Sequence, residues 1–453
     1  MRDLVAKLHS EINKLPLYDI HTHMDAGHIS ARGLHDVLLY HMVISDLYSA
    51  GCPGGSRLSE DADEEEIEFR ITEAIPYLPE IALTNCYWGV RIILKDIYGW
   101  DEPVTLENWR EIDGIIRERY KERNFGRRII KKANVLRACT ELSRRRDGSA
   151  DDIFQYSLEW AFFARSQYGK FDTALVELEY AWNMEKAGLP MPVTCDVTAL
   201  NLKKRIKTVD DIHSAMEHYI KNVPGDEIIY AAAHFSTYIH YEKVTRRDVE
   251  KALENRGNAG EKERDIYSNY INRLYIEQMT ENYPDVMLSF SMGAEPLPFE
   301  TGSILRMETI SELADLFHEF PNTKFMLHNA SLHQNQALCT LARELPNVYL
   351  GGYWWHSFFA TAIRQIMNER MEMLAANKNM LFFSDAYCAD WLYAKSVIVK
   401  RQLAEILSVK IEQGQFTVEE ALTMIAHMFK DVPERELNME EGYATEQLLS
   451  RAQ

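Results

Sequence analysis

The sequence predicts a (β/α)8 TIM barrel with a helical insertion after its first strand. Three observations lead there. Short apolar, β-branched runs alternate with helical segments along most of the chain, which implies a parallel sheet. Eight such runs can be counted, the number that closes a barrel. Several of the runs end in His or Asp, and the C-terminal ends of barrel strands are where such folds carry their chemistry. At 453 residues the chain exceeds the usual single-domain length, yet one α/β barrel with insertions reaches it. Residues 1–453 are therefore read as one domain, with 31–132 as an insertion within it.

The first run is Leu17-Tyr18-Asp19-Ile20-His21-Thr22-His23. Side chains two apart on a strand share a face, so both imidazoles can reach one ion. A fortuitous His-x-His pair is common, so a third ligand elsewhere must decide. Helical text follows. Residues 32–50 carry a mixed apolar face, Gly51-Cys52-Pro53-Gly54-Gly55 breaks it, and an acidic run at 61–68 enters a further helix whose dipole it favours. More helix is expected at 106–132. The remaining candidate strands are 134–139, 192–197, 228–233, 286–290, 324–327, 348–351 and 380–383. Helices are expected between them at 208–222, 246–282, 308–320, 334–345 and 358–376, with 391–413 and 417–429 capping the C-terminal end.

Composition narrows the function. The net charge of −19 and the absence of a basic stripe argue against nucleic acid. Arg127, Arg128, Lys131 and Lys132 lie together but suit a solvated helix face. The six cysteines, Cys52, Cys86, Cys139, Cys195, Cys339 and Cys388, are dispersed without a Cys-x-x-Cys pair, which suits a reducing compartment and no disulfide framework. With no signal-peptide pattern at its start and no run of about 18 apolar residues, the chain is expected to be cytoplasmic and not membrane-bound.

Read at the strand ends, the first run offers His21 and His23, the fourth His234, the fifth Ser291, the sixth His328, the seventh Tyr353-Trp354-Trp355-His356, and the eighth Asp385. Strand eight closes against strand one, so Asp385 neighbours the His pair. Two imidazoles and a carboxylate leave positions open on zinc or a similar divalent ion, as catalytic sites require. Such an ion can polarise a carbonyl or activate water. Each histidine has a plainer reading as a hydrogen-bonded structural residue. The Trp pair can likewise be packing, or a stacking wall for a sugar ring. Arg364, Arg370, Lys395 and Lys400 are read as helical charge on a solvent face.

These residues resemble the amidohydrolase superfamily and, within it, the uronate isomerases. The likeness covers most of the chain. It rests on Tyr18-Asp19-Ile20-His21-Thr22-His23, on His41 before Gly51, on Asn85-Cys86-Tyr87-Trp88, on Asn134-Val135-Leu136-Arg137-Ala138-Cys139-Thr140, on Gly352-Tyr353-Trp354-Trp355, and on Ser384-Asp385-Ala386-Tyr387 ahead of a long helix. The resemblance implies that His21, His23 and Asp385 hold the metal and that Asp385 also moves a proton. The reaction implied is the aldose–ketose isomerisation of a uronic acid such as glucuronate or galacturonate, through an enediolate.

Several family residues are replaced. Family arginines align with Cys195, Pro296 and Tyr387, the fifth-strand His with Ser291, and a Tyr with Met42. No neutral side chain reproduces a guanidinium clamp on a carboxylate. His328 and His356 stand where they could restore a hydrolase-like site for a lactone, ester or amide. The expected catalytic set is thus Asp385, His41 and His328. The expected substrate contacts are His234, Trp354, Trp355, His356 and Tyr387. The partner is a small sugar acid or related molecule, with zinc as the expected cofactor and a homo-oligomer in keeping with a barrel of this size. A metal-dependent hydrolase, and a barrel that binds a sugar acid without turning it over, are the alternatives.

Overall fold

A computed structural model describes residues 2–55, 58–59, 62–160, 173–184, 202–235, 242–294 and 305–439. Its eight strands are β1 (Leu17–Asp19), β2 (Val135–Glu141), β3 (Phe154–Trp160), β4 (Tyr230–Phe235), β5 (Met287–Met292), β6 (Phe325–Asn329), β7 (Val348–Gly351) and β8 (Asn379–Met380). All pair in parallel, each with the next in sequence. The ring closes just beyond the formal ends of β8 and β1. There Ile20 N–H donates to Phe382 O at 3.1 Å, Asp385 N–H to His21 O at 3.1 Å, and His23 N–H to Ala386 O at 2.8 Å. The Asp19 carboxylate adds a bond from Ser384 N–H at 2.9 Å. This is the (β/α)8 barrel that the strand count predicts.

Inside the barrel, Tyr18, Ile20, Cys139, Tyr230, Ala232, Met287, Met326, Tyr349 and Met380 form one apolar core. Alternation along each strand then aims Glu141, His234, Ser291 and His328 inward at the mouth, and the register sets His234 against Ser291 and Ser291 against His328. The opposite faces, such as Leu158 and Trp160 of β3, pack outward under the surrounding helices.

Helix α1 (Arg2–Lys14) precedes the barrel. Between β1 and β2 come α2 (Leu34–Leu38), α3 (His41–Ser49), α4 (Glu64–Ala74), α5 (Asn85–Tyr98), α6 (Trp109–Tyr120) and α7 (Phe125–Lys132). Local chemistry sets several of their ends: Asp63 and Thr84 cap α4 and α5, and Gly99 ends α5 in the left-handed conformation at φ 74°. The outer layer continues with α8 (Thr173–Asn183), α9 (Val209–Lys221), α10 (Arg246–Glu254), α11 (Glu261–Asn282), α12 (Met307–Glu319), α13 (Asn335–Glu344) and α14 (Ala360–Met373). Capping boxes at Thr208 and Thr245 start α9 and α10. The 24-residue α15 (Ala389–Glu412) is followed by α16 (Val418–Ala426), a π-helical turn at His427–Asp431 and α17 (Val432–Leu437). Val432 and Leu437 of α17 join the barrel core, and Tyr18 Oη donates to Glu434 at 2.7 Å, so this segment closes the end opposite the mouth.

Two expectations need correction. The third strand is β3, Phe154–Trp160, whereas the 192–197 run lies outside the described residues. β3 alternates Phe, Tyr, Leu, Trp with Gln, Ser, Glu, a half-polar pattern that lacks the continuous apolar run of a typical parallel strand. Arg370, Lys395 and Lys400 are not on a solvent face: all three are at most 4 % exposed. Lys400 Nζ donates to Ala133 O at 2.9 Å, and Arg370 Nη1 to Gly352 O at 3.0 Å.

Close packing at the mouth makes a prediction about Gly352. It has φ 32°, and a Cβ there would lie 2.1 Å from Phe383 Cβ and 3.0 Å from Phe383 N. Gly352→Ala should cost about 2–4 kcal/mol in urea unfolding. Gly414→Ala, at φ 76° with nothing within 4 Å, should cost only about 1 kcal/mol. Equal costs would mean that backbone strain alone, not contact with Phe383, sets the requirement.

Candidate active site

The β8–β1 seam brings His21, His23 and Asp385 together, and β2 adds Glu141, which the sequence reading did not identify. His23 lies between two carboxylates: its Nδ1 meets Glu141 Oε1 in a short contact, and its Nε2 lies 3.1 Å from Asp385 Oδ1. His41, at the first position of α3, approaches the other Asp385 oxygen at 3.5 Å. Glu141 is held in turn by Arg144 Nε. Tyr387 stacks on His23 at 4.8 Å between centroids and 22° between planes, with the Arg144 guanidinium 5.6 Å over its ring. His23, His41, Tyr40, Arg32, Arg144 and Tyr387 are among the residues that line a single cavity here.

Hydrogen bonding fixes the tautomer of His21. Tyr230 Oη donates to Ile20 O at 2.8 Å, so at its 2.9 Å contact with His21 Nδ1 the phenol oxygen accepts. Nδ1 therefore carries the proton, and Nε2 keeps a lone pair. Burial, reinforced by the charge of His23, pushes the His21 pKa down to about 4. His23 goes the other way. Burial opposes its charge, but Glu141, Tyr387 and Asp385 outweigh that and raise its pKa well above 6.5. Burial likewise works against the charge of Glu141, yet His23 and Arg144 bring it down to about 2. For Asp385, burial is overcome by His23, Lys395 and His41, which hold the carboxyl far below the usual range. Glu159, inward on β3 and accepting from Ser157 Oγ at 3.0 Å, is pushed up to about 8 by burial and by the neighbouring Glu141 charge.

The donor set fits a divalent cation. One donor atom each from His21, His23 and Glu141 lie within 4.8 Å of one another, and Asp385 is 3.1 Å from His23 Nε2. On the ligand set expected from the sequence, His21, His23 and Asp385 would hold the cation, whereas the three donors that lie closest together among the described residues are those of His21, His23 and Glu141. Glu141 accepts from His23 Nδ1, the usual role of a carboxylate behind a metal-bound imidazole.

The other expected site residues are placed as follows. His234 Nε2 donates to Ala294 O at 2.8 Å and meets the edge of Trp354. Trp354 is only 6 % exposed and stacks on Phe383, so it is packing and not an open wall. The Trp355 side chain, Cys195 and Pro296 lie outside what is described. His328 points into the barrel against Phe383, 4.5 Å between centroids, and does not line the cavity. Burial, with a contribution from His21, brings its pKa down to about 3. His356 is buried beside Arg370; burial, then that charge, lowers it to about 4. Glu141 carries one sequence signal, its position as the last residue of an apolar run. The Arg-rich text after it suggests solvent instead.

Comparison with known proteins bears on the fold. No protein-family model matches the chain, and no curated sequence does. Among solved structures it is similar to a uronate isomerase from Thermotoga maritima, at 15 % identity and a TM-score of 0.73 over 96 % of this chain and 97 % of that one. It is also similar to a glucuronate isomerase from Caulobacter crescentus, at 12 % identity and 0.73 over 97 % and 94 %. A protein from Lactobacillus casei described as a metal-dependent hydrolase matches at 13 % identity and 0.61 over 96 % and 98 %. At these identities the likeness establishes the fold.

Two predictions follow from the site. Removing a ligand should remove the ion: metal content measured on purified protein should fall at least tenfold in His21→Ala and Asp385→Asn, and unchanged stoichiometry in both would exclude these ligands. The second concerns pH. His328 is neutral in the fold down to about pH 3, whereas in the unfolded chain it charges below about 6.5. Stability from its neutral form is thus present above 6.5 and lost as pH falls toward 3. Relative to His328→Asn, the wild type should lose roughly 2 kcal/mol of unfolding free energy between pH 7.5 and pH 5. Parallel pH profiles in urea unfolding would show that the ring is not held neutral.

Proposed function

We propose that this protein is a metal-assisted barrel enzyme that interconverts the aldose and ketose forms of a uronic acid. The observation that carries the reading is the convergence of His21, His23, Asp385 and His41 at the mouth of a barrel whose course follows those of uronate and glucuronate isomerases over nearly its whole length. A divalent ion held by His21, His23 and Asp385, zinc being the best match to two nitrogens and a carboxylate, would polarise the substrate carbonyl.

The chain's own residues supply the proton transfers. Asp385, beside His23 and His41 at the barrel mouth, is the carboxylate placed to accept the C2 proton of the sugar acid and return it to C1. His41, 3.5 Å from the second Asp385 oxygen, is placed to carry the hydroxyl proton between O2 and O1. Tyr387, stacked on His23, forms the wall along which the sugar backbone lies. No atoms are gained or lost overall, as an isomerisation requires.

One observation favours a second reading. At the mouth, Arg32 is paired with Asp36, Arg144 with Glu141 and Arg146 with Asp25. Each of these guanidiniums is already engaged by a carboxylate of the protein itself, which suits an uncharged substrate better than an acid. The same metal site would then hydrolyse a lactone, ester or amide.

Proton NMR in deuterium oxide separates the two. With metal-loaded protein and glucuronate or galacturonate, the isomerase reading expects loss of the C2 proton signal and growth of the ketose, both abolished in Asp385→Asn. Absence of exchange with both acids, together with hydrolysis of lactones or esters, would replace it with the hydrolase. Binding of the acids with neither reaction would leave a barrel that only binds them.

A further inference from the structure

Asp385 has φ 55°. A non-glycine residue in this left-handed region is strained, and something must hold it there. Its N–H is used in the barrel seam, donating to His21 O. The two carbonyls around it are each met by a separate donor. Lys395 Nζ donates to Ser384 O in a short contact, and Tyr40 Oη donates to Asp385 O at 2.7 Å. The two donors are themselves joined, Lys395 Nζ to Tyr40 Oη at 2.9 Å.

Lys395 is 1 % exposed. Its ammonium is surrounded by that hydroxyl, that carbonyl and the ring faces of Phe358 at 4.4 Å and Tyr40 at 5.2 Å; among the described residues no carboxylate pairs with it directly, and the Asp385 charge acts on it from farther off. A buried ammonium in such surroundings is less favourable than an apolar side chain of the same length. Packing alone would be served better by Met, so the charge must have a local task. The oxygens that it gathers belong to the Ser384–Asp385 segment.

We propose that Lys395 and Tyr40 are positioning residues for the metal-binding carboxylate: they clamp the Ser384–Asp385 backbone in its left-handed turn, so that the Asp385 side chain faces His23 and His41. Tyr40 directly precedes His41, so the same short stretch of the insertion supplies both the clamp and one neighbour of the carboxylate. When the clamp is lost, the segment relaxes toward an ordinary backbone conformation and the carboxylate turns away from His23 Nε2. The inference rests on the metal reading of the site.

The test uses full-length, metal-free protein titrated with cobalt(II), comparing wild type, Tyr40→Phe, Lys395→Met and the double variant. Tyr40→Phe removes one hydroxyl and serves where Lys395→Met does not fold. Each variant should bind cobalt ten- to a hundredfold more weakly. The double variant should lose less than the product of the two, because both act on one segment. Folded variants with lowered thermal stability but wild-type cobalt affinity would overturn the clamp. If the wild type itself takes up no cobalt, the metal reading fails instead. The clamp is then decided on the metal-free proteins from the imidazole proton signal of His23 in its bond to Asp385. Loss of that signal in Tyr40→Phe supports the clamp, and its retention overturns it.

Discussion

The site depends on a seam of three peptide hydrogen bonds between residues 20–23 and 382–386. Each is an ordinary bond worth about 1 kcal/mol net. Their importance is geometric. Neighbouring strands lie about 4.8 Å apart, so closing the ring at that register sets Asp385 beside His23 without any loop having to reach across the mouth. Asp19 reinforces the seam from within, its carboxylate tied to Ser384 N–H. The carboxylate is fully buried, and that burial raises its pKa to about 7. Helix α15 supports the seam from outside.

Much of this arrangement is legible in the sequence, for a physical reason. Barrel strands alternate between a core that must be apolar and a mouth that need not be, so a polar residue at the end of an apolar run stands out. His21, His23, His234, His328 and Asp385 are found that way. β3 hides because Ser157 and Glu159 face inward at the mouth along its length, which breaks the apolar run into an alternation. Glu141 hides because Arg144, Arg145 and Arg146 follow it, and a Glu beside three arginines reads as solvated surface. The buried lysines of α15 hide for a third reason. Charge at helical spacing normally means a wet face, but α15 is enclosed on almost every side, and Lys395 and Lys400 satisfy backbone carbonyls at element ends. Nothing in a single sequence separates a lysine that meets water from one that meets carbonyls.

Within the mouth, groups of one kind divide into a charged and a neutral member. His23 is charged beside a neutral His21, and Glu141 is ionised beside Glu159, whose pKa is about 8. Environments that push like groups apart are how one pocket holds an acid and a base at the same pH. Here the division follows from position. His23 and Glu141 lock together as an ion pair, and burial leaves His21 and Glu159 neutral.

The closure of the ring also sets a timetable for synthesis. Asp19 and Ser384 are 365 residues apart, and at typical translation rates of about 5–20 residues per second the second follows the first by about 20–70 s. For all that time β1 has no final partner on its β8 side, and its apolar residues wait for a ring that is still unmade. Two histidines emerge early and their carboxylate emerges late. On the proposed ligand set, a nascent chain can hold the ion only by incomplete coordination until the barrel closes. On that reading, capturing the ion and completing the fold are one late event.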